Sequence, residues 1–108
     1  MKIPESIRIG GVEYEIKMKD VLLLDNKMHL GVIHYQECEI ELLSEGTSHQ
    51  QRCVTLIHEI CHGIMRHMGL ECDNEEEIVD AFARGFYMVL QDNGGRLFDL
   101  KKEESDDE

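Results

Sequence analysis

His58, Glu59 and His62 fall within one run of five residues, His58-Glu59-Ile60-Cys61-His62, flanked by apolar neighbours on both sides. Residues four apart in a helix share a face and lie about one turn from each other. On a helix, therefore, the two imidazoles can point at one cation. Glu59 is displaced by about 100° around the axis, which sets its carboxylate beside the cation rather than on it. From there it can take a proton from water. Two ligands and a general base on one turn are the mechanical content of the HExxH pattern, and the matching chemistry is hydrolysis by metal-activated water. Two imidazoles and a carboxylate suit zinc, Zn2+, and Glu59 would carry the proton on to a leaving amine.

Such a site needs a third protein ligand and a position left open for water. The metzincin pattern would put a histidine at position 68 and a glycine at 65, where this chain has Met68 and Met65. The other common arrangement takes a glutamate from the next helix. Glu75-Glu76-Glu77 opens that helix a short loop further on. Acidic residues in a first turn are also favoured by the helix dipole and by capping boxes, here Asp73 with Glu76 or Asn74 with Glu77. Among the three, the reading ranks Glu77 first, Glu76 next and Glu75 last, because Glu75 projects towards the apolar stripe that begins at Ile78.

The elements that must position these groups are legible in outline. Ser6 to Ile9 and Val12 to Met18 flank Gly10-Gly11, a two-residue hairpin signal. Val12, Tyr14, Ile16 and Met18 alternate with Glu13, Glu15 and Lys17, as a half-buried strand requires. Val21 to Leu24 is a short apolar run before the turn-like Asp25-Asn26, and Leu30 to Tyr35 and Cys38 to Leu43 read as two further strands. A helix is expected from His49 to Met68, closed by Gly69, and a second from an Asp73 or Asn74 cap to about Asp92. The fold class is α+β: a small antiparallel sheet in the N-terminal half, with two helices packed on it.

Residues 1-100 are expected to form a single domain and residues 101-108 an acidic disordered tail. The chain has 108 residues and a net charge of -12, with its basic residues scattered singly. That balance speaks against nucleic acid and against an anionic membrane surface as partners. No apolar run reaches the length of a membrane span and no signal-like segment follows Met1, so a cytoplasmic location is expected. Cys38, Cys53, Cys61 and Cys72 form no CxxC pair and read as reduced thiols. Cys72 could add a fourth ligand in a closed structural site. His29, His34, His49, His67 or Tyr87 could donate to an oxyanion.

Thr55 to Ile64, followed by Glu77-Ile78-Val79-Asp80-Ala81-Phe82-Ala83, resembles small phage and prophage HExxH proteins similar to the ImmA/IrrE metallopeptidases of the gluzincin type. The resemblance implies a zincin-like fold, with His58, His62 and Glu77 as metal ligands and Glu59 as the base. It also implies a protein or peptide substrate. The competing expectation is a non-catalytic, metal-stabilised interaction protein of phage or prophage origin.

Overall fold

The computed structural model describes residues 1-97, so the expected acidic tail at 101-108 lies outside the described residues. In chain order the elements are β1 (Ser6–Ile9), β2 (Val12–Lys19), β3 (Leu23–Leu24), β4 (Lys27–Met28), β5 (Gly31–His34), β6 (Glu39–Leu43), α1 (His49–His67) and α2 (Glu75–Asn93), with a 3-10 turn at Gly94–Arg96. The class is α+β, as expected.

Gly10 and Gly11 take φ of 58° and 83°, which gives the β1-β2 hairpin the twist its strands need. Asp25 and Asn26 do the same for the small β3-β4 hairpin, at φ of 53° and 63°. Alternation along β2 sends Tyr14 inward and leaves Glu13 and Glu15 in solvent. β6 carries the most deeply buried pair in the sheet, Ile40 and Leu42, both fully inaccessible. Burying side chains of this size stabilises by roughly 1.5–3 kcal/mol each.

Two expectations are corrected. The sheet is mixed, not antiparallel: its order is β1-β2-β6-β5, and β2 pairs with β6 in parallel. The β5-β6 hairpin docks through β6, because β6 has the apolar face that a central strand must bury. β5 is thereby left at the edge. The second correction concerns the helices. α1 lies on the sheet against β1, β5 and β6, whereas α2 packs on α1 and not on the strands.

α1 begins at Ser48, whose side chain accepts a hydrogen bond from the Gln51 amide at 3.1 Å. It ends where Gly69, at φ 69°, returns its amide to the Arg66 carbonyl. Cys53, Leu56 and Gly63 form the stripe that faces the sheet, joined by Thr55 and Glu59. Ile9, Tyr14, Ile40, Leu42 and Leu56 make up the core beneath it. Asn74 occupies the cap position of α2 but makes no side-chain capping hydrogen bond, so the expected capping boxes are not formed.

Gly31 sets the distance between β5 and α1. A Cβ at this position would stand 2.5 Å from Thr55 Cγ2, 3.3 Å from the Glu41 carbonyl oxygen and 3.4 Å from Glu59 Cγ. Thr55 is β-branched and its hydroxyl is held by the Gln51 carbonyl at 2.8 Å, so its methyl cannot turn aside. Gly31→Ala is expected to lower unfolding stability by about 1–3 kcal/mol, measured by urea denaturation. Adding Thr55→Ser should recover most of that loss, and no recovery would mean that a different contact sets the spacing.

Candidate metal centre

Two turns of α1 and the first turns of α2 meet around His58 and His62. α2 owes its rotation to Val79, Ala83 and Tyr87, the residues it buries against α1. At about 100° per residue, Glu76 lies roughly 60° from Val79 and turns towards α1, while Glu77 lies roughly 160° away and turns outward. His58, His62 and Glu76 therefore come together, with their ligand atoms all within 4.8 Å of one another, and the three could hold a metal ion. Glu77, ranked first from the sequence, is exposed and stands outside this cluster.

The hydrogen bonding within the cluster is informative. The two Nε2 atoms are 3.2 Å apart. Glu76 reaches both, at 2.8 Å from His58 Nε2 and 3.0 Å from His62 Nε2. Each imidazole has a second acid on its other side: Glu75 lies 2.6 Å from His62 Nδ1, and Asp80 lies 3.6 Å from His58 Nδ1. A neutral imidazole has one N–H and can satisfy only one of two flanking carboxylates. His62 can give Nδ1–H to Glu75, and Asp80 stands behind His58 at a longer distance, while both Nε2 lone pairs and Glu76 are placed to converge on a cation. This is the acid–histidine–metal arrangement, in which the outer carboxylate fixes the tautomer and raises the basicity of the ligand. The donor set, two imidazole nitrogens and one carboxylate, fits zinc chemistry.

Glu59 is the one carboxylate on the buried stripe of α1, at 7 % exposure. Burial pushes its carboxyl up to about 7, with the charge of His62 and a hydrogen bond from the Ile33 amide opposing the rise. His62 is also raised: burial acts to lower it, but the Glu75 hydrogen bond and the charges of Glu59 and Glu76 outweigh that.

The Ile33 contact follows from the sheet register. Leu30 and Leu43 form a hydrogen-bonded pair, so by alternation Val32 and His34 bond to β6, and the peptide groups of Gly31 and Ile33 face the open edge. That edge borders a cleft of about 530 Å³ lined by Gly31 from β5, His58 and Glu59 from α1, and Glu76, Asp80 and Arg84 from α2. The cleft is large enough for a short peptide segment.

The remaining sequence candidates disperse. His67 bonds the Tyr14 hydroxyl at 3.0 Å, His34 bonds Glu41 at 3.0 Å, and His49 meets the Met1 carbonyl. Tyr87 is buried and accepts a hydrogen bond from Gln91 at 2.6 Å. Of these candidates only His29 lines the cleft. Cys72 is exposed and outside the cluster, and all four cysteines are free. Glu75 and Asp80 were not assigned from the sequence as partners of the imidazoles. The signal available was spacing, since Glu76 and Asp80 are four apart on one face. Among the described residues, no helix is long and apolar enough to cross a membrane.

Comparison with protein-family models, curated proteins and solved structures gave no match, so the site is read from its own chemistry.

Glu59 makes the stability of metal-free protein depend on pH. Its folded value of about 7 exceeds its ordinary 4.5, so the folded state holds a proton that the unfolded state releases. Stability should fall as pH rises from about 4.5 to 7, by roughly 3 kcal/mol. The raised His62 acts in the same direction, its contribution being lost as pH rises through its folded value. Chemical denaturation of chelator-treated protein across this range should give a clearly shallower decline for Glu59→Gln than for wild type. Parallel declines would show that Glu59 titrates normally.

Proposed function

We propose that this chain is a minimal zinc metallopeptidase with a zincin-like arrangement, in which His58, His62 and Glu76 hold the ion. The observation that carries the reading is the convergence of two Nε2 atoms and one carboxylate, with an acid behind each imidazole, next to a buried glutamate. Zinc held there would acidify water and polarise the carbonyl of a scissile bond.

The protein's own groups have definable tasks. Glu75, hydrogen-bonded at 2.6 Å, keeps Nδ1 protonated on His62, and the Asp80 charge 3.6 Å from His58 Nδ1 favours the same tautomer there, so that both Nε2 lone pairs stay available. Glu59 accepts a proton and returns it to the departing amine. A carboxylate withdrawn from water has a raised proton affinity, which suits it to accept that proton. The Ile33 amide fixes the Glu59 carboxylate in position. A substrate peptide would lie extended along the open edge of β5, exchanging main-chain hydrogen bonds with Gly31 and the Ile33 carbonyl, the Ile33 amide being taken by Glu59. Such binding reads backbone more than side chains, so the substrate class is an unfolded segment or exposed loop of a protein.

The alternative, a metal-stabilised interaction module, would be served best by four protein ligands. The three-donor cluster and the adjoining cleft favour hydrolysis.

Elemental mass spectrometry and peptide-library cleavage test the proposal together. Wild type, Glu59→Gln and Glu77→Ala should each carry one zinc per chain, and Glu76→Ala should lose it. Cleavage by zinc-loaded wild type should fall by about 100-fold or more in Glu59→Gln. Zinc retained in Glu76→Ala would overturn the ligand set. A zinc-loaded wild type that cuts nothing would favour the interaction module.

A further inference from the structure

Glu76, Asp80 and Arg84 follow one another on α2 at intervals of four residues, and all three line the cleft. The first two have tasks at the proposed zinc site, but the third carries the wrong charge for one. A guanidinium beside a cation site repels the cation, so electrostatics alone would favour a neutral residue at position 84. The contact that Arg84 makes accounts for its presence. Its Nε donates to Asp80 Oδ2 at 3.0 Å, and Asp80 Oδ1 lies 3.6 Å from His58 Nδ1. One carboxylate is thus shared, with one oxygen engaged by the arginine and the other turned to the histidine.

The two outer acids differ in how they are held. Glu75 meets His62 Nδ1 at 2.6 Å, a hydrogen bond that orders both partners. Asp80 stands at 3.6 Å from His58, with 47 % of its side chain exposed against 34 % for Glu75. At that distance no hydrogen bond to the imidazole keeps it in place, and an exposed aspartate can turn into water. The longer of the two contacts is the one with an arginine behind it. Aspartate followed four residues later by arginine is also the favourable order for an ion pair on a helix.

We propose that Arg84 is a positioning residue of the metal centre, holding the Asp80 carboxylate towards His58 so that the His58 Nε2 lone pair stays directed at zinc. The inference rests on the reading of His58, His62 and Glu76 as zinc ligands. On that reading each turn of α2 serves the one before it: Glu76 binds the ion, Asp80 stands behind a ligand, and Arg84 stands behind Asp80. Positioning and plain electrostatics predict effects of opposite sign. Removing a positive charge near the site would tighten a divalent cation. Removing the support of an outer acid weakens it, because such partners contribute about 10–100-fold to metal affinity.

Zinc affinity of the chelator-stripped full chain, measured by competition with a chromophoric chelator, tests the proposal without recourse to activity. Arg84→Ala should weaken zinc by about 10-fold. Arg84→Lys, which can still pair with Asp80, should recover most of that loss. In an Asp80→Ala background, where no carboxylate is left to position, Arg84→Ala should leave zinc affinity unchanged or tighten it. The urea midpoint of metal-free Arg84→Ala should match wild type, since an ion pair with Arg84 70 % exposed adds little to folding. Zinc bound as tightly by Arg84→Ala as by wild type, or more tightly, would overturn the proposal and leave the ligand set intact. An equal weakening in the Asp80→Ala background would overturn it too, because Arg84 would then act other than through Asp80. A wild type that binds no zinc, or a Glu76→Ala that keeps it, would bring down the ligand reading and this inference with it.

Discussion

Contact between Val79, Ala83 and Tyr87 of α2 and the facing side of α1 fixes the rotation of the second helix, and the chemistry of the site depends on that rotation. A helix turned by one residue would offer a different glutamate to His58 and His62. As packed, it offers Glu76 to both Nε2 atoms, Glu75 to one Nδ1 and Asp80 to the other. An ordinary hydrophobic contact thus decides which of several chemically identical carboxylates approaches both Nε2 atoms and which lies beside an Nδ1.

The second constraint is the burial of Glu59 beneath an edge strand. α1 puts this carboxylate on the stripe that faces the sheet, and Gly31 lets β5 come close enough for the Ile33 amide to reach it. Removing a carboxylate from water raises its proton affinity and costs stability. One amide hydrogen bond offsets only part of that cost. The result is a group near neutrality beside a cluster of acceptors, which suits proton transfer better than it suits folding. The sheet topology makes this possible: with β6 inserted between β2 and β5, the edge of β5 remains open beside the cleft.

α2 shows how a short helix can meet two demands with one sequence. Its inner side combines Val79, Ala83 and Tyr87 with the acids of the site, and its outer side carries Phe82 and Phe86. In most small domains the larger apolar side chains face the core. Here Phe82 and Phe86 are outside and Ala83 is inside. Small inner residues let α2 approach α1 closely enough for Glu76 to reach the histidines.

The sequence alone determined the local features. Glycine pairs and capping residues placed the hairpin and the ends of α1, alternation marked β2 and β6, and the spacing of His58 and His62 put both imidazoles on one helix face. Each of these is set by backbone geometry within a few residues, which is why it can be read without the fold. The sheet order was decided only in the tertiary structure, because any strand with one apolar face can be central or peripheral until the hairpins compete for β2. The choice among Glu75, Glu76 and Glu77 was decided there too. α2 offers two apolar stripes, Ile78-Phe82-Phe86 and Val79-Ala83-Tyr87, and the sequence reading ranked Glu77 first and Glu75 last because Glu75 projects towards the stripe that begins at Ile78. Packing buries the Val79-Ala83-Tyr87 stripe against α1, and that rotation turns Glu76 towards the histidines and Glu77 away from them, while both carboxylates stay exposed.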